Sequence, residues 1–147
     1  MASLPPDFKE FLRLLNSHGV EYLLVGGYAV AFHGYPRATA DMGIWIARTE
    51  ANAERVTDVL REFGFETEQL FPSLFVEKDK LVRMGVPPLR IELLTDVSGV
   101  SFEDCYGRRV IADMDGVEVS LIGLDDLRAN KKASGRYKDL EDLRHLR

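Results

Sequence analysis

The chain has a single cysteine, Cys105, in 147 residues. One thiol cannot close an internal disulfide, and with no CxxC partner it offers no zinc site, so Cys105 is assigned a packing or surface role. No apolar run approaches the ~20 residues that a membrane-spanning helix requires. The opening residues MASLPPDFKE lack the basic and apolar regions of a signal peptide, which leads us to expect a cytoplasmic protein with no membrane partner. Positive charge is not in excess either. A net charge of −5 argues against a protein that coats nucleic acid by bulk electrostatics, although NKKASGRYK at 130–138 is a local basic patch.

What is present is ordinary globular material. Hydrophobic residues make up 46% and charged residues 29%, which excludes disorder and collagen-like repeats. At this length about 70% of the unfolded surface can be buried, enough for one domain spanning 1–147. There is no internal repeat and no long linker.

The apolar spacing of Phe8, Phe11, Leu12 and Leu15 after Pro5-Pro6 predicts a first helix that ends near His18-Gly19. The run Tyr22 to Val25 is continuously apolar and suits a strand covered on both faces. A short helix from Tyr28 to His33 follows Gly26-Gly27, then a turn at GYPR, then a strand over 43–47 that could already include Asp41. Thr49 is placed to cap a helix that runs through Phe63 and stops at Gly64. Strands are expected at 74–77, 81–84 and 89–94. RVIADM and VEVSLI should form a hairpin across Asp115-Gly116. Two closing helices, Leu124 to Ala133 and Tyr137 to Leu146, flank Ser134-Gly135. The order predicts a mixed sheet with helices packed against it.

The most informative stretch is VGGYAVAFHGYPRATADMGIWIA at 25–47. Strand, glycine turn, helix and acid-tipped strand together can build a compact site for a nucleoside triphosphate and its metal. Strand alternation puts Met42, Ile44 and Ile46 on the core side and points Asp41 into a cleft. Glu92 is a second acid inside an apolar strand, where a carboxylate must be at an open edge, paired with Arg90 or Arg83, or bound to a metal. Magnesium takes hard oxygen ligands and keeps several waters, so two carboxylates plus substrate phosphates can hold it.

The segment GGYAVAFHGYPRATADMGIWI resembles the opening motif of the nucleotidyltransferase superfamily, the polymerase-beta-like enzymes, and is most similar to small bacterial proteins related to AbiEii and MenT toxins of toxin–antitoxin systems. Gly26, Gly27, His33, Gly34, Arg37, Thr39 and Asp41 carry the resemblance, with Glu92 in RIELLTDVSGVSFED and Lys131, Arg136, Lys138 and Asp139 in the tail. It implies a nucleotidyltransferase-like α/β (α+β) fold, a mixed β-sheet flanked by helices. It also implies that Asp41 and Glu92 are catalytic and hold magnesium or manganese. Gly26 and Gly27 would approach the triphosphate of ATP or another NTP through backbone N–H groups. Lys131 and Arg136 would place charge near phosphates or an RNA acceptor, or serve only as solvated or capping residues. His33 would touch a phosphate or base, or hold the GYPR turn; Arg37 and Thr39 would bind nucleotide or brace the turn that presents Asp41. The implied reaction is transfer of a nucleoside monophosphate from an NTP to a tRNA or protein hydroxyl, with an antitoxin as a further partner.

The chain departs from the superfamily's D-x-D pair at Gly43, the position that bridges both metals. Either another acid substitutes, Asp96 or Glu77, or the chain is a degenerate pseudoenzyme that binds nucleotide or a partner. A lost bridging acid should lower the rate by orders of magnitude, because metal-borne charge stabilisation is worth several kcal/mol.

Overall fold

The computed structural model describes residues 4–37, 39–65, 70–85 and 89–146. The elements are α1 (Pro6–Ser17), β1 (Tyr22–Val25), α2 (Gly26–Phe32), β2 (Asp41–Ile46), α3 (Glu50–Phe63), a 3-10 helix (Pro72–Val76), β3 (Leu81–Met84), β4 (Arg90–Leu94), α4 (Phe102–Gly107), β5 (Val110–Met114), β6 (Val117–Leu121), α5 (Leu124–Ser134) and α6 (Tyr137–His145). The six strands form one mixed sheet in the order β3-β4-β2-β1-β6-β5. β1 runs antiparallel to β2 and parallel to β6, β2 is parallel to β4, and both edges close with antiparallel pairs.

Local chemistry accounts for most boundaries. Pro6 opens α1, and Phe8, Phe11, Leu12 and Leu15 are its buried stripe. The Thr49 side chain accepts a hydrogen bond from the Asn52 N–H, and Gly64, at φ 111°, ends α3 in the left-handed conformation. Asp115 and Gly116, both at positive φ, turn the β5–β6 hairpin. α1 packs against α3 and β6, and α2 against β1 and β2.

Three elements differ from expectation. The apolar run at 74–77 is not a strand; Pro72 starts a 3-10 turn that drives Phe75 fully into the core beside α3. A short apolar run carries no period that separates strand from turn, and Pro72 with its locked φ decides this one. α2 starts two residues early, at Gly26, because Gly26 adopts φ 69° directly after the extended Val25. Helix α4 has no expected counterpart; Ser101 caps it by accepting from the Asp104 N–H, and it buries Cys105. Burial, with Asp126 nearby, pushes the Cys105 thiol up to about 11, in keeping with a packing role. The Pro87-Pro88 break ahead of β4 lies outside the described residues.

Both faces of β2 are covered beyond its first residues. Trp45 shares a face with Asp41 and Gly43, yet it is buried edge-on against Phe102 at 5.1 Å. The face bearing Asp41 is therefore open only at the start of the strand, and that opening is where the candidate site lies.

Candidate functional site

The glycine turn is built by close approach. A Cβ on Gly27 would stand 2.5 Å from Thr39 Oγ1 and 2.7 Å from Thr39 Cβ, so only glycine lets α2 start against the segment that leads into β2. Thr39 Oγ1 donates to the Asp41 carbonyl at 3.2 Å and so stiffens the entry to that strand. His33 faces elsewhere. Its Nε2 donates to the Ile122 carbonyl at 2.7 Å, tying the end of α2 to the end of β6, and the ring does not line the cavity described below.

The parallel register of β2 and β4 pairs Asp41 with Arg90, Gly43 with Glu92 and Trp45 with Leu94. Paired residues share a face, so the two acids project from the same side of the sheet, separated by the position glycine occupies. Neither carboxylate is bare. Arg90 grips Asp41 through both oxygens, Nε to Oδ1 and Nη2 to Oδ2, each at 3.2 Å. Arg83, opposite Glu92 on β3, donates from Nε to Glu92 Oε2 at 2.7 Å. Asp96 accepts from the Asp79 N–H at 2.7 Å and lies 3.7 Å from Arg48. Glu77, the other substitute acid, stands outside the cavity and pairs with Lys80 at 3.5 Å.

The far wall is a buried ion network from α5 and α6. Lys131 is 7% exposed, and its Nζ lies 3.1 Å from both Asp139 and Asp142. Asp139 also accepts from Arg136 Nε at 2.7 Å and Ser134 Oγ at 2.6 Å. Asp142 receives a two-pronged contact from Arg37, at 2.7 and 2.9 Å, which locks α6 to the loop ahead of β2. Burial acts to raise both carboxyls, but hydrogen bonds outweigh it. Arg136, Ser134 and Lys131 hold Asp139 far below the usual carboxylate range, and Arg37 and Lys131 lower Asp142.

These walls enclose an open cavity of about 720 Å³. It is lined by Gly26, Gly27, Arg37, Thr39, Asp41, Gly43, Arg83, Glu92, Asp96, Lys131, Arg136, Lys138 and Asp139. Of the candidate residues taken from the sequence, His33, Gly34 and the substitute acid Glu77 lie outside it, and the others line it. Reasoning from sequence offered Arg83 or Arg90 as a partner for Glu92, and Arg83 is the one that pairs; it missed Asp142 and the engagement of Arg90 with Asp41. Strand alternation puts Arg90 and Glu92 on one face, but no local signal reveals that β4 lies parallel to β2 in this register.

The superfamily's metal centre requires acids grouped around the ions, and the residues here do not supply a two-ion set. Among the described residues, no three His, Cys, Asp or Glu side chains come together as a metal cage. Gly43 offers no oxygen between Asp41 and Glu92, and each of those acids already carries a guanidinium. Steric hindrance is not the reason for the gap. A Cβ at position 43 would meet Val25 Cγ2 at 3.4 Å and Leu94 Cδ1 at 3.7 Å, ordinary contact distances.

A six-stranded mixed sheet with flanking helices, and a glycine turn feeding an acid-tipped strand, defines a nucleotidyltransferase-like fold. Solved structures agree with that assignment. A candidate nucleotidyltransferase from Thermotoga maritima superposes with a TM-score of 0.63 at 16% identity, covering 93% of this chain and 88% of the other. An antigenic nucleotidyltransferase-like protein from Paracoccidioides brasiliensis gives 0.55 at 18% identity, covering 99% and 76%. At such identities the correspondence is one of fold; it does not extend to the toxin subfamily. No protein-family model matches the chain, and no curated protein matches it significantly. No helix among the described residues is long and apolar enough to cross a membrane.

Proposed function

We propose that the chain binds a nucleoside triphosphate in the cavity between β2, β4 and α5–α6, and that it is a degenerate member of its superfamily with little transfer activity of its own. One observation carries this reading. A single cavity gathers the glycine turn, Arg37, Thr39, Asp41, Glu92, Lys131 and Arg136 from segments far apart in sequence. Polyphosphate recognition calls for backbone N–H groups and planar guanidinium donors, and both are at hand. Transfer calls for charge stabilisation of the leaving pyrophosphate by metal, and the acid that would bridge two ions is Gly43.

The second reading is an active enzyme that moves a nucleoside monophosphate from an NTP to a tRNA or protein hydroxyl, with Asp41 and Glu92 sharing one magnesium or manganese. Its support is that both acids lie on one face of adjacent strands. The acceptor, a toxin-like role and an antitoxin partner rest on the resemblance of the sequence motifs.

Label transfer from each α-³²P-NTP, with magnesium or manganese and with bulk tRNA plus cell protein, separates the two. We expect no labelling by the chain itself. Its Gly43→Asp variant, whose Cβ the space around position 43 admits, is expected to gain detectable labelling, with circular dichroism checking that the fold is kept. Labelling by the unaltered chain establishes the second reading instead.

A further inference from the structure

Each acid that the superfamily would use for metal is matched here to an arginine on a neighbouring position of the sheet: Asp41 to Arg90 and Glu92 to Arg83. Arginine remains protonated throughout the working pH range, so these are permanent cations in the place where a divalent ion would supply charge. The register makes the substitution systematic. Arg90 is the β4 partner of Asp41, Arg83 is the β3 partner of Glu92, and Gly43, beside Glu92, leaves space where a third carboxylate would repel phosphate. Arg83 lines the cavity and is 56% exposed at its side chain, so it has donors free beyond the Nε that Glu92 takes. Lys138 adds a cavity-lining cation with no ion-pair partner among the described residues.

We propose that this cavity holds the polyphosphate of a nucleoside triphosphate without a divalent metal, with Arg83 contacting phosphate directly and Arg90 neutralising Asp41. The proposal rests on the nucleotide-binding reading above and specifies its chemistry. In a metal-dependent site, bare carboxylates repel the nucleotide until an ion screens them. Here the guanidinium groups do that screening in advance, and phosphate oxygens accept the remaining N–H donors in the two-pronged geometry arginine favours.

The test is calorimetric titration of the full chain with ATP and with inorganic tripolyphosphate, in excess EDTA and again with magnesium. Binding of both probes in EDTA, with affinity equal to or greater than that in magnesium, is the expected result. Binding of ATP only when magnesium is present overturns the metal-free site and leaves the nucleotide reading standing. No binding under either condition overturns both. Arg83→Gln should weaken binding in EDTA roughly tenfold or more, the loss expected for a charge-assisted contact. The double variant Arg83→Gln/Glu92→Gln separates contact from screening. Binding that stays weak in the double variant supports direct contact with phosphate, and recovery to the original affinity shows that Arg83 only cancelled Glu92 and overturns the assignment. Arg83 is exposed enough that circular dichroism should show an unchanged fold in both variants.

Discussion

Glycine serves two opposite purposes in this cavity. Gly27 is required by contact, since any Cβ there would collide with Thr39. Gly27→Ala should lower stability by about 1–3 kcal/mol through overpacking, seen as a reduced urea midpoint, and should weaken ATP binding as Thr39 shifts. Gly43 has no such constraint, and its absent carboxylate is a matter of chemistry. The buried carboxylates behave differently again. Asp142 is 1% exposed at its side chain and serves both Arg37 and Lys131. Asp142→Ala should cost about 3–5 kcal/mol, because Arg37 loses its buried carboxylate and Lys131 keeps only Asp139. The pH dependence has a definite sign. Asp139 and Asp142 have folded-state pKa values below their unfolded ones, so their contribution is complete above the ordinary carboxylate value. It is lost as pH falls below about 4, where the unfolded chain takes up protons that the folded one does not. Urea midpoints across the acid range should fall less steeply for Asp142→Ala than for the original chain.

Among the elements, α3 shows how a helix is held by its first turn. Asn52, 1% exposed, accepts from the Glu21 N–H at 2.7 Å and donates to the Glu21 and Ala47 carbonyls at 3.1 and 2.9 Å. One side chain thus joins the helix start to the chain just before β1 and just after β2, and so braces the two central strands at the end away from the cavity. Asn52→Ala strands these buried groups and should cost about 2–4 kcal/mol in urea unfolding. It should exceed the effect of Thr49→Ala, a cap loss of about 1 kcal/mol. Comparing the two midpoints checks the ranking. The 3-10 helix and α4 are elements of packing, seating Phe75 and Cys105 without touching the cavity.

At the scale of the whole molecule, a chain of net charge −5 brings five cations, Arg37, Arg83, Lys131, Arg136 and Lys138, from four segments to one cavity, beside Asp41, Glu92, Asp96 and Asp139. On the proposed reading, attraction for polyphosphate comes from these groups alone, since the net charge of the whole chain opposes it. Because ligand binds only the folded form, ATP at a hundred times its Kd should stabilise the protein by about 2.7 kcal/mol and raise Tm by roughly 5–10 °C. The shift should persist in EDTA, as a thermal melt monitored by fluorescence will show. Arg37 on Asp142 and Lys131 between Asp139 and Asp142 join the cavity wall to the docking of α5 and α6, so the two are one structure.

Much of this was legible along the chain because its causes are local. Apolar period, Pro6, Thr49, Gly64 and the Asp115-Gly116 turn mark their own elements, and glycine turn, Arg37, Thr39 and Asp41 lie within sixteen consecutive residues, 26–41. The apolar 74–77 run misled because four residues carry no usable period. Sequence alone thus determined the class of fold and the list of acids and bases that could serve a nucleotide. Only the tertiary structure decided which of them meet. Strand pairing between β2, β4 and β3 sets Arg90 on Asp41 and Arg83 on Glu92, and the return of α6 sets Asp142 on Arg37, 105 residues away. Such pairings depend on register and on long-range packing, which are properties of the assembled sheet and of no single segment.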